Sequence, residues 1–94
     1  MTTISKQVRK EIKAFIRANI KDWRVDAREY EFIELTIAVS GDGYLWSYQT
    51  GDNSYTGGAY GLPIWGVTSV YPESTIRDVF EEVTDQIEEQ LGST

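Results

Sequence analysis

Residues 32–39 read FIELTIAV, and their spacing decides how the chain is expected to fold. Ile33, Leu35, Ile37 and Val39 alternate with Phe32, Glu34, Thr36 and Ala38. A period of two is how an extended strand separates an apolar face from a mixed one. SGDG at 40–43 follows, a composition suited to a tight hairpin turn. YLWSYQT at 44–50 then reads as a second strand with Tyr44, Trp46 and Tyr48 sharing one face.

Next comes GDNSYTGGAYG at 51–61, whose glycines suit a long hairpin connection that needs positive φ values. The same loop can act as a contact surface, because Tyr55 and Tyr60 offer rigid contact area on a pliable backbone. It is not a phosphate cradle: no lysine follows Lys21, and Gly57, Gly58 and Gly61 lack dinucleotide-binding spacing. PIWGVTSVY at 63–71 reads as a third strand, and Tyr55 or Thr56 can add a short one. If Tyr44, Trp46 and Tyr48 lie on an open sheet face, they form an exposed aromatic strip continuous with the loop. If helices cover that face, they are core.

Upstream, the spacing predicts a helix from about residue 5 to residue 23, with Val8, Ile12, Ile16, Ile20 and Trp23 on one arc and Thr3 as N-cap. RVDAREY at 24–30 reads as an irregular link. Downstream, Pro72 breaks the sheet, and a second helix is expected over 75–91 with Ile76, Val79, Phe80, Val83, Ile87 and Leu91 facing one way. Thr75 and Asp78 have capping-box spacing, Gly92 stops the helix, and 92–94 form a frayed tail. The expected fold is α+β in α-β-β-β-α order, one small domain over 1–94. Its sheet is an antiparallel three-stranded meander, four-stranded if the short strand forms, with both helices on one face. That order resembles the topology of double-stranded-RNA-binding domains. Those domains need a basic start to the last helix, where this chain has STIRDVFEEVTDQIEEQL, so direct nucleic-acid binding is not expected.

Composition narrows function mainly by exclusion. The 94 residues contain no cysteine and no histidine, which removes thiolate metal sites, disulfides and the usual general base. No calcium-loop motif and no membrane-length apolar run is present, and the N-terminus lacks the apolar core of a secretory signal. A cytoplasmic protein that is not an enzyme, with no cofactor and no membrane partner, is expected. Charge is unevenly spread: residues 1–30 hold eight basic residues and four acids, net +4, while 31–94 hold Arg77 against eleven acids, net −10.

Asp78, Glu81, Glu82, Asp85, Glu88 and Glu89 fall within about a third of the second helix's circumference, in a stripe roughly 16 Å long. Glu88 and Glu89 oppose the macrodipole in its last turn, at roughly 0.3–1 kcal/mol each, with no Lys or Arg nearby in sequence. Charge kept against stability points to selection for the charge itself. Lys6, Lys10, Lys13, Arg17, Lys21 and Arg24 form a basic stripe on the first helix, expected to pair with those acids or with a second copy in a homodimer. The reading that follows is a non-enzymatic protein-binding module using the six carboxylates, with Tyr55 and Tyr60 in support. Its partner would be the basic surface of a nucleic-acid-binding protein, inhibited by an acidic helix that mimics phosphates. In size and charge profile such a chain resembles phage-encoded anti-restriction and anti-CRISPR proteins. The alternatives are a self-associating structural domain, or a small-ligand binder built on loop 51–61.

Overall fold

Ser5 starts the first helix: its Oγ accepts from the Val8 N–H at 3.2 Å, the bond an N-cap supplies to an otherwise orphaned donor. The computed structural model describes residues 4–40, 43–49, 54–56 and 64–92, so Thr3, the expected cap, lies outside the described residues. Helix α1 (Lys6–Tyr30) then runs for 25 residues. It does not stop at Trp23. Residues 24–30, expected as a link, contain neither Gly nor Pro, and Ala27 carries the buried arc one turn past Trp23. Arg24 Nε fixes this end by donating to the Ser74 carbonyl at 2.7 Å. The chain leaves the helix at Glu31, whose φ of 76° and ψ of −47° swing it toward the sheet.

Four strands follow: β1 (Ile33–Ser40), β2 (Gly43–Gln49), β3 (Ser54–Thr56) and β4 (Trp65–Val70), and then helix α2 (Ile76–Gly92). Their order across the sheet is β3-β2-β1-β4. The expected meander in α-β-β-β-α order is therefore not formed. β4 does not extend the hairpin beyond β2; it returns to pair antiparallel with β1, so Ile37 lies between Trp46 on one side and Gly66 on the other. The reason is burial. Ile33, Leu35 and Ile37 are fully buried, and a strand so enclosed needs both rows of backbone polar groups paired within the sheet. The topological likeness to double-stranded-RNA-binding domains falls with the meander.

One apolar cluster joins Ile12, Ile16 and Ile20 of α1, Ile33, Leu35 and Ile37 of β1, and Val79, Val83 and Ile87 of α2. Register also decides where Trp46 goes. Its place opposite Ile37 sets it on the helix side, half-buried, with its ring 5.4 Å from Phe15. Phe15 in turn meets Trp23 edge-on at 5.5 Å. For Trp46 the exposed-strip reading is overturned; it packs under α1.

Candidate functional site

α2 is positioned from both ends. At its start, Thr75 Oγ1 accepts from the Asp78 N–H at 3.1 Å, and Ser74 closes the preceding turn by accepting from the Tyr71 N–H at 2.8 Å through its hydroxyl. Val79, Phe80, Val83 and Ile87 bury one face, which turns Asp78, Glu81, Glu82, Asp85 and Glu89 outward as exposed side chains. Gly92, expected as the stop signal, is the last residue of the helix.

The six carboxylates do not form one free stripe. Glu88 is half-buried and belongs to the fold: it receives Arg9 Nη2 at 2.6 Å on one oxygen and the Ile4 N–H at 3.4 Å on the other. The basic offset that is missing nearby in sequence thus comes from α1. Glu81 takes Arg77 Nε at 3.1 Å, one helical turn away and exposed to solvent. Glu81 and Asp85 also border an open groove of about 640 Å³ between the two helices, whose other charges are Arg9, Lys13, Arg17 and Arg77. Phe80 forms part of its floor, with Arg9 Cζ 5.4 Å and Lys13 Nζ 5.5 Å from the ring centroid. One edge of the acidic stripe therefore faces the basic flank of α1, and the other edge does not.

That second edge carries Asp78, Glu82 and Glu89, with Asp85 on the crest between the two. Asp78 and Glu82 border a shallow depression of about 280 Å³ together with Glu73, Thr68 and Ser69. Among the described residues, no group of three or more acidic side chains is placed to hold a metal ion. Of the two tyrosines expected as supporting contacts, Tyr55 sits in β3 and pairs with Tyr48 through the backbone, and Tyr60 lies outside the described residues.

Exposed aromatic area is found elsewhere. Trp65, Tyr71 and Phe32 are 46%, 46% and 41% exposed, on the sheet side away from the helices, and Phe32 and Tyr71 have ring centroids 6.1 Å apart. The alternation that sends Ile33 inward already places Phe32 outward; Trp65 and Tyr71 needed the β1–β4 register. Among the described residues no helix is long and apolar enough to cross a membrane. No protein-family model, curated protein or solved structure was found to match the chain.

Proposed function

We propose that the protein is a non-enzymatic, cytoplasmic binding module that presents the outer edge of α2 to a basic protein surface. In its most concrete form it is an inhibitor of a nucleic-acid-handling protein, with carboxylates standing where phosphates would lie. The observation that carries this reading is the row Asp78, Glu82, Asp85 and Glu89. All four are exposed, at axial steps of about 4.5–6 Å, on a helix whose opposite face is buried against the sheet. A charge row already held rigid loses little conformational freedom on binding, and its field speeds encounter with a cationic groove. Glu81 and Glu88, engaged with Arg77 and Arg9, are left to stability rather than recognition.

The test is capture from the native host's lysate by the wild-type chain, followed by elution with duplex DNA. A variant with Asp78→Asn, Glu82→Gln, Asp85→Asn and Glu89→Gln runs in parallel. Capture of a nucleic-acid-binding protein that DNA displaces and the variant fails to hold supports the mimic. Equal capture by both forms reduces the row to solvation.

A second reading rests on a separate observation. Lys6, Lys10, Lys13, Arg17 and Lys21 are exposed on α1, and among the described residues none has a carboxylate within ion-pair distance. A two-fold axis along the groove would lay this row over α2 of a second copy. Such a dimer would dissociate as salt is raised, which sedimentation at low and high ionic strength would detect.

A further inference from the structure

β4 ends the sheet, and an edge strand presents unpaired N–H and C=O groups to any other strand. The Val39 N–H donates to the Ile64 carbonyl at 3.1 Å, which sets the polar groups of residues 64, 66, 68 and 70 toward β1. Those of Trp65, Val67 and Ser69 consequently point outward. Edges are commonly guarded by a charge or a proline, and WGVTSV at 65–70 has neither. It is instead rich in β-branched residues that favour pairing.

The guard comes from α2. Gln86 Oε1 accepts from the Val67 N–H at 3.0 Å, and its Nε2 donates to the Val67 carbonyl at 2.7 Å. One turn later Gln90 repeats the arrangement at Trp65: Oε1 accepts from the N–H at 3.4 Å and Nε2 donates to the carbonyl. A carboxamide carries the donor and acceptor of a peptide unit. The spacing also matches, since one i,i+4 step along a helix rises about 6 Å and two strand residues span about 6.7 Å. Gly66 lies between the two rungs, and its missing side chain lets the helix backbone at Val83 approach.

We propose that α2 is a strand surrogate that holds the outer edge of β4 closed, and that the surface it closes is a pairing site for β4 of a second copy. Antiparallel pairing of one edge with itself is self-complementary about a two-fold axis, so the occupant needs no other sequence. This inference does not rest on the acidic row, although Glu82 stands one turn before Gln86 on the same β4-facing side of α2.

The test compares wild type with Gln86→Leu/Gln90→Leu, alone and with Ser69→Lys added, by sedimentation in salt high enough to screen charge pairing. Wild type is expected to stay monomeric and the double variant to dimerise. Ser69→Lys should return it to monomer, with the Val67 amide exchanging about tenfold faster than in wild type. A folded double variant that stays monomeric, or a dimer that Ser69→Lys leaves intact, overturns the proposal. Should the double variant fail to fold, Gln90→Leu decides, because that bond is exposed. Self-association of that variant, suppressed by Ser69→Lys, supports the proposal; a monomer overturns it.

Discussion

Arg9, early in α1, donates to Glu88, in the last turns of α2, at 2.6 Å across 79 positions of sequence. The pair sets the helices antiparallel and supplies the cation that the macrodipole at that end of α2 calls for. With side chains 38% and 23% exposed it is screened but not fully solvated. Glu88→Gln is expected to lower stability by about 1 kcal/mol. Urea denaturation of Glu88→Gln, Arg9→Gln and the double variant should give a coupling energy above about 0.5 kcal/mol that shrinks in salt. Additive effects would remove the pair from the account of the fold.

Gly66 and Gly92 make a matched comparison. A Cβ on Gly66 would lie 2.4 Å from the Val83 carbonyl oxygen, a backbone atom that cannot rotate aside, whereas one on Gly92 meets nothing within 4 Å. Gly66→Ala should therefore cost about 1–3 kcal/mol through displacement of α2 from β4, and Gly92→Ala should be neutral or slightly stabilising. Thermal unfolding of both variants tests this. A neutral Gly66→Ala would mean that α2 does not need this approach.

Glu31 holds φ at 76°, a region in which a side chain is strained and glycine is not. Strain there is of order 1–3 kcal/mol, while glycine's greater freedom in the unfolded chain costs roughly 0.5–1 kcal/mol. Glu31→Gly should accordingly raise stability by about 1 kcal/mol, read as a higher urea midpoint at unchanged slope. A lower midpoint would show that the carboxylate or the strained turn contributes something the geometry does not display.

The parts of the fold legible in sequence were those fixed by local periodicity. FIELTIAV announces β1 because burial on one face forces alternation, and the apolar arc of α2 announces a helix for the same reason. Residues 24–30 read as a link because four charged residues surround Ala27, the small residue that continues the buried arc, while Val25 falls outside it and is exposed. The place of β4 was not legible at all: its sequence serves either edge of the sheet, and only the demand of a doubly buried β1 selects one. Helical angles alone grouped six carboxylates, yet Glu88 belongs with Arg9 and Glu81 with Arg77, partners set by packing or by a neighbouring turn. The two glutamines gave no signal beyond polarity, because their role exists only once an edge lies beside them.

The division of the acidic helix yields the sharpest contrast between stability and function. Asp78 lies in the first turn of α2, where its charge complements the macrodipole, and Glu89 lies near the last, where its charge opposes it. Neutralising Asp78, Glu82 and Asp85 removes one favourable contribution of roughly 0.3–1 kcal/mol, so the urea midpoint should fall only slightly. Partner capture by that variant should nonetheless be lost. Glu81→Gln/Glu88→Gln should behave in the opposite way, lowering stability by about 1 kcal/mol while retaining the partner. If the two variants lose capture in proportion to the stability they lose, binding follows the folded fraction alone and the exposed row has no part in recognition.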